Sequence, residues 1–405
     1  METNTQMTIT SDGLFYSSVD GAVDVRFDPN AWGIPEEAVT DLGVDFERLC
    51  SRYQPLFTTR TRDTSVYGTA YMSGLLRNPH RQRNFTGIAD STGVSEQNLH
   101  HFMSNSPWHA QPIIDQIQSD IATLCADDPL GACALILDES GDKKATSHTI
   151  GVSRQYLGRL GKVDLCQMGV YLAYTTPSVT QVVEGELYLP AEWFTDAFEE
   201  NRSQLKLPTD RIFHTKAELG VHMIRCVKEK GTLRFSFVAC DDFYGQQPAF
   251  LKELRALGLV YMADTPVDTR VYRHLPTMGI PTRNGKRGRC PSRRRALNVP
   301  LERLDLITKQ LPSEAWKRLN IRHTERGNLI ADFAALRVWT HQSGEPEIEQ
   351  WVVFRREISA SKRLSAAFCN AQEETPLARL ADMKSTRFWV EHSLENAKSE
   401  IGLDE

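Results

Sequence analysis

The sequence predicts an α/β protein: a mixed sheet flanked by helices, with a helical segment before it and a β-rich segment ahead of its last helix. Three observations predict this. Residues 51–125 carry mostly helical spacing. From Ala132 to Ala263 the apolar runs follow the order β-β-β-α-β-α-β, and a meander followed by alternating helices and strands makes a mixed sheet covered by helices. Two of those runs end on an aspartate, CALIL on Asp138 and FSFVAC on Asp241.

The elements follow in order. Residues 1–50 are acidic and rich in turn formers, and read as a flexible lead or a loosely packed cap. Gly87–Phe102 has the pattern of a helix-turn-helix: small Ala89, a Gly93-Val94 turn, Ser95 as a cap, then Leu99 and Phe102 as an apolar stripe. Arg52, Arg60, Arg62, Arg77, Arg81 and Arg83 precede it. Ala132–Leu137, Cys166–Thr175 and Val179–Leu189 read as strands, with a polar hairpin or loop over Asp142–Gly161. His214–Lys230 and Gln247–Leu257 read as helices, Arg234–Cys240 and Val260–Ala263 as strands. Pro276, Gly279, Pro281, Gly285, Gly288 and Pro291 break regular structure over 271–300. Leu329–Trp339, Ile348–Arg355 and Arg363–Cys369 are strands again, and Thr375–Gly402 is helical.

Composition excludes several classes. No apolar run reaches the roughly 18 residues of a membrane span. METNTQMTITSDG lacks the basic and apolar regions of a secretory signal, so the cytoplasm is the expected location. The eight cysteines form no CxxC and read as buried, reduced thiols. No HExxH occurs, and GRLGK lacks the first spacing and the Ser/Thr of a phosphate loop. The net charge of −5 speaks against nucleic-acid binding only until it is divided. Residues 1–50 carry ten acids against two bases, leaving +3 on the other 355 residues. Local patches govern DNA affinity. Arg283, Lys286, Arg287, Arg289, Arg293, Arg294 and Arg295 form one without an acid among them, irregular enough to follow a phosphate backbone.

Aspartates at the carboxyl ends of neighbouring parallel strands face a common crevice, where their oxygens can share a hard divalent cation. Asp138 and Asp241 are candidates for this, or for turn and helix caps. A third acid should come from a helix crossing the same edge. Arg387, Glu391, Glu395 and Lys398 share one helix face, with Phe388, Leu394 and Ala397 turned to the core; spacing does not choose between Glu391 and Glu395.

The runs LILDESGDKKATSHTIGVSRQYLGRLGKVDLCQMGV, ACDDFYG and RFWVEHSLENAKSEIGLD, and more weakly ELYLPAEWF and FHTKAEL, resemble bacterial insertion-sequence transposases of the DDE endonuclease superfamily. The family's third-acid motif is Tyr, two residues, Arg, three residues, Glu, six residues, Lys. Arg387, Glu391 and Lys398 fit it, and Lys384 stands where Tyr is expected. That implies Glu391 as the third acid, and the spacing to Tyr244-Gly245 implies Asp241 rather than Asp242 as the second. The resemblance implies a ribonuclease-H-like core, with a lead at 1–50, a helical DNA-binding domain at 51–128, the first part of the core at 129–270, a basic linker and β-rich insertion at 271–374 and the acid-bearing helix at 375–405. It implies two Mg²⁺ or Mn²⁺ ions, with Asp138 bridging them and Asp241 and Glu391 on either side. Double-stranded DNA, both element ends and target, is the implied partner, and a homodimer on that DNA is admitted. Lys143, Lys144, Arg154 and Gln155 would border the DNA channel, and Arg387 and Lys398 the scissile phosphate. The family continues past position 405, so two alternatives stay open: a truncated or repurposed relative that binds DNA, and a nuclease that cuts without strand transfer.

Overall fold

The computed structural model describes residues 6–9, 15–19, 22–27, 35–60, 62–79, 81–146, 149–282, 290–324, 327–358 and 363–403. The chain divides into one compact unit reaching to Gln116, with Glu400–Leu403, and a second over Ile117–Ser399.

The first unit begins with a three-stranded antiparallel sheet of β1 (Gln6–Ile9), β2 (Phe15–Val19) and β3 (Ala22–Phe27). The acidic lead is therefore not structureless. Helices α1 (Glu36–Tyr53), α2 (Ser65–Arg77), α3 (Phe85–Thr92), α4 (Glu96–Asn105) and the start of α5 (Ala110–Leu124) follow. The helix-turn-helix pattern is realised by α3 and α4. Gly93 turns between them at φ +73°, a left-handed conformation that a side chain would strain. Ile88 and Leu99 are fully buried against Ala70. Ser95 occupies the cap position of α4 without a capping hydrogen bond, whereas the Asn84 side chain accepts from Gly87 N at 3.0 Å and caps α3. Arg77 and Arg83 donate to the carbonyls of Ser91 and Leu75, so part of the predicted basic cluster braces these helices.

The second unit is built on one ten-stranded sheet. Its strands are β4 (Ala134–Lys143), β5 (Ser153–Leu157), β6 (Lys162–Thr175), β7 (Thr180–Tyr188), β8 (Phe237–Cys240) and β9 (Tyr261–Thr265). Helices α6 (Glu199–Gln204), α7 (Lys216–Lys230), α8 (Asp242–Gly245) and α9 (Pro248–Ala256) lie among them in sequence. Two small ladders follow, β10 (Arg270–Val271) with β13 (Glu302–Arg303) and β11 (Met278–Gly279) with β12 (Arg295–Ala296), and then α10 (Leu304–Gln310). The sheet resumes with β14 (Lys317–Thr324), β15 (Gly327–Gln342), β16 (Glu345–Glu357) and β17 (Leu364–Cys369), before α11 (Leu377–Thr386) and α12 (Phe388–Ile401).

The strand order is β14-β15-β16-β17-β9-β8-β4-β6-β5, with β7 also on β6. Only β4, β8 and β9 run parallel to one another; every other pairing is antiparallel. The strands after Trp316, which the sequence assigns to an insertion, extend this same sheet, because Ala366–Cys369 pair with β9. Successive residues of a strand face opposite sides. Leu135, Leu137, Val238, Cys240 and Ala263 accordingly pack with α7, α9 and α10 on one face. Ala134, Ile136, Phe237, Ala239 and Met262 pack with Leu380, Met383, Val390 and Leu394 of α11 and α12 on the other. α7 is fixed at its start by a reciprocal cap, Thr215 Oγ1 accepting from Glu218 N and the Glu218 carboxylate from Thr215 N.

Six of the eight cysteines are buried and none is in a disulfide, as their apolar settings predict; Cys226 and Cys290 are exposed. Among the described residues no helix is long and apolar enough to cross a membrane.

Candidate active site

The site arises from register. In β4 and β8, Leu137 pairs with Cys240, and in β8 and β9, Cys240 pairs with Ala263. One residue further, Asp138, Asp241 and Asp264 stand at the same level of three parallel strands. Each has the parity of Ile136, Ala239 and Met262, so all three belong to the face covered by α11 and α12. The strands place them reliably because the preceding residues are immersed: Ala134–Leu137 and Val238–Cys240 are fully buried.

Asp138 accepts a hydrogen bond from Glu139 N at 2.8 Å. Burial, then the nearby charge of Asp241, push its pKa up to about 7, against the opposing pull of Arg387. Asp241 is pushed up to about 6, chiefly by burial, against Tyr244 N and Arg387. The Asp241 carboxylate also caps the short α8, accepting from Tyr244 N at 3.3 Å. Of the two alternatives that the sequence left open, the cap is thus made, and it leaves Asp241 level with Asp138.

Arg387 joins the acids. Its Nη1 lies 3.4 Å from Asp138 Oδ2, its Nε 3.1 Å from Asp264 Oδ2, and its Nη2 donates to Glu391 Oε1. Burial works against its charge, but Asp264, Glu391, Asp138 and Asp241 outweigh it and raise its pKa. The sequence reading of a continuous helix over Thr375–Gly402 is corrected here. α11 ends at Thr386 and α12 begins at Phe388, with Arg387 at the junction and a tightened Val390 N to Arg387 O bond across it. Within α12 the buried face differs from the one predicted. Val390 is fully buried and Leu394 nearly so, whereas Phe388, predicted for the core, is 39% exposed. The Arg322 guanidinium covers its ring at 3.6 Å.

Lys398, at the far end of the predicted stripe, donates to Gly141 O at 3.2 Å and so reaches β4 beyond Asp138. Glu395 is exposed. Lys143 pairs with Asp164 at 3.2 Å and Lys144 with Asp142, so both lysines share their charge with acids. Arg154 is exposed on β5 and Gln155 is half-buried beside it. Arg293, Arg294 and Arg295 are exposed; Arg283, Lys286, Arg287 and Arg289 lie outside the described residues.

Asp264 was not singled out by the sequence reading, which ended its strand at Ala263. The signal was present: VYMAD is an apolar run stopped by an aspartate, as CALILD and FVACD are. Lys384, 120 residues away, donates to its other oxygen at 2.8 Å.

The donor chemistry suits a hard divalent cation, because both carboxylates are largely withdrawn from water and the charge of Asp241 raises the cost of ionising Asp138 until a cation offsets it. Among the described residues no three His, Cys, Asp or Glu side chains stand ready as a ligand group, and Glu391 is paired with Arg387. A cavity of about 1310 Å³ lies elsewhere, beside α7 and α9, lined by His214, His222, Arg225 and Glu253 among others. None of the four acids lines it.

Gly245 explains why the DDFYG segment ends on glycine. A Cβ there would lie 1.9 Å from the backbone oxygen of Asp264, which the sheet holds in place. Gly245→Ala is therefore expected to lose about 1–3 kcal/mol or more of stability in a urea titration, as overpacking does. An unchanged midpoint would show that α8 can lift from β9.

A family model described as "DDE superfamily endonuclease" matches residues 52–328. The match takes in Asp138 and Asp241 and ends before Glu391. A probable transposase for insertion sequence element IS701 from Microchaete diplosiphon is 30% identical over 189 residues, covering 45% of this chain and 44% of that protein. The chain thus spans less than half the length of this curated relative. Among solved structures, the NurA nuclease from Sulfolobus solfataricus aligns over 67% of this chain and 83% of its own at 10% identity, with a TM-score of 0.26, a likeness too low to carry an argument.

Proposed function

The chain belongs to the DDE superfamily of endonucleases, and on that premise we propose that it is an insertion-sequence transposase that cuts DNA at element ends and joins the freed 3′ end to target DNA. The observation that carries this reading is the alignment of Asp138 and Asp241 on adjacent parallel strands, with Arg387 linking Asp138 to Glu391. An antiparallel β4–β6 pair followed by parallel β8 and β9 supports a ribonuclease-H-like core for that site.

Asp138, Asp241 and Glu391 are the residues that would hold two Mg²⁺ or Mn²⁺ ions. Such ions, when bound, activate the attacking water or 3′-hydroxyl and neutralise the leaving oxygen. Glu391 keeps its Oε2 for that role while its Oε1 accepts from Arg387. The Arg387 guanidinium lies beside the same acids, and its fork is suited to a phosphate oxygen. Lys398 carries positive charge to the β4 side of the same site. Arg154, Gln155 and the run from Arg283 to Arg295 serve the DNA backbone outside it, with Lys143 and Lys144 exchanging Asp164 and Asp142 for phosphate. Work on chromosomal DNA assigns the protein to the bacterial cytoplasm at the nucleoid, and two ends to be joined favour a dimer on DNA.

The test is direct. With Mg²⁺ and DNA carrying the ends of its element, the protein should nick at those ends and give joined products with a target plasmid. Nicks without joined products leave a nuclease; binding without nicks removes the enzyme reading altogether.

A further inference from the structure

Asp264 stands level with the two strand-end aspartates, yet the reading of Asp138, Asp241 and Glu391 as catalytic acids gives it no task. Its surroundings do. One oxygen receives Lys384 Nζ at 2.8 Å and the other receives Arg387 Nε at 3.1 Å. The Lys384 side chain is only 3% exposed. A buried ammonium needs a fixed counter-charge, and β9, hydrogen-bonded between β8 and β17, holds Asp264 in place. Arg387 is a planar fork, so anchoring its Nε sets the directions of Nη1 and Nη2 together. Those two nitrogens meet Asp138 and Glu391. Glu391 is half exposed and has Arg387 as its tie to the sheet among the ion pairs described. Lys384 holds one oxygen of Asp264 and Arg387 Nε the other, which leaves Nη1 of Arg387 to face Asp138.

We infer that Asp264 and Lys384 form a buried positioning pair that fixes Arg387 at the α11–α12 junction and so aims Glu391 at Asp138; this rests on the reading of those acids as the catalytic set. Neither residue touches the reacting atoms. They act through Arg387, as partners behind metal ligands do, and losing such a partner typically weakens metal binding or activity by about 10–100-fold.

The experiment compares wild type, Asp264→Asn, Lys384→Met and Lys384→Arg in the full chain by three readouts: amide hydrogen exchange, Mn²⁺ binding by calorimetry, and nicking of element-end DNA. Asp264→Asn and Lys384→Met are expected to speed exchange over Phe388–Leu394 while β4 and β8 stay protected. The same two variants should bind Mn²⁺ about tenfold more weakly and lower kcat about 10–100-fold with KM for DNA within about twofold. Lys384→Arg, which keeps the charge, should retain most of each. Wild-type exchange over Phe388–Leu394 in a folded Asp264→Asn protein overturns the inference, as does unchanged kcat. If wild type itself neither binds Mn²⁺ nor nicks DNA, the catalytic reading fails, and exchange alone still decides whether the pair holds the junction.

Discussion

Asp138→Asn is expected to abolish end cleavage, by at least about 10³-fold in the single-turnover rate, while DNA affinity and its salt dependence stay as in wild type. The asymmetry follows from where the charges are. Affinity for a duplex comes from cations on its phosphates, and the exposed arginines proposed for that role, Arg154 and Arg293–Arg295, lie outside the acid cluster. The carboxylate of Asp138 faces Asp241 and Arg387 instead. Asparagine keeps the shape of the side chain and the hydrogen bond from Glu139 N, so the fold has no reason to change. It removes the negative charge on which cation binding depends. Asp241→Asn and Glu391→Gln should behave alike, and the triple variant should be little worse than any one of them, because residues that act as a unit are not additive. Asp242→Asn is the control: Asp242 is exposed and outside the cluster, so it should keep its rate within about threefold. Equal loss in Asp138→Asn and Asp242→Asn would mean that the segment rather than the site had been damaged. Undiminished cleavage by Asp138→Asn would move the chemistry elsewhere in the chain.

The parts of this site that could be read from the sequence are those that local patterning determines. An apolar run closed by an acid announces a strand end, and Asp138 and Asp241 were found that way. The shared helix face of Arg387 and Glu391 was likewise legible from their i,i+4 spacing, and the structure pairs them. Contacts set by strand order were not legible. Arg387 meets Asp264 and Asp138 across 123 and 249 residues, and no local rule connects them. Lys384 looked like a departure from a motif; only the pairing of β9 with β8 and β17 reveals the aspartate that answers it. Phe388 failed for a different, purely local reason. Phe388 and Leu394 are six residues apart in the one helix α12, so at 3.6 residues per turn they lie on different faces, and the buried face is that of Val390 and Leu394. The long strands β15 and β16 were recognised as strands but read short, because their outer ends carry polar residues that the hairpin nonetheless pairs out to Gln342 and Glu345.

The second large effect is on stability, and it has the opposite sign from the loss of activity: without divalent cations, Asp138→Asn should be more stable than wild type at pH 8 and no more stable near pH 4. Asp138 has its folded pKa raised from 3.8 to about 7, and Asp241 from 3.8 to about 6. A raised carboxyl means that the folded protein holds the proton more tightly than the unfolded chain does. Below about pH 4 both states are protonated and the site costs nothing. As pH rises from about 4 the unfolded chain ionises first, and stability falls until Asp241 and then Asp138 ionise in the folded protein, near 6 and 7. For Asp138, only 13% exposed, about three pKa units amount to up to about 4 kcal/mol lost by pH 8. Asparagine is neutral throughout and escapes that loss, so its Tm in EDTA at pH 8 should exceed that of wild type by on the order of 5–10 °C. Divalent cations reverse the ranking. At 100 times its Kd, Mg²⁺ adds about 2.7 kcal/mol to a protein that binds it only when folded, and wild type should gain this increment while Asp138→Asn gains little. Melting curves at pH 4.5, 6 and 8, with EDTA and with Mg²⁺, separate the two contributions. A variant no more stable than wild type at pH 8 in EDTA would mean that Arg387 already neutralises Asp138 in full, and that the site is an ion-pair network built for packing rather than a place kept for a cation.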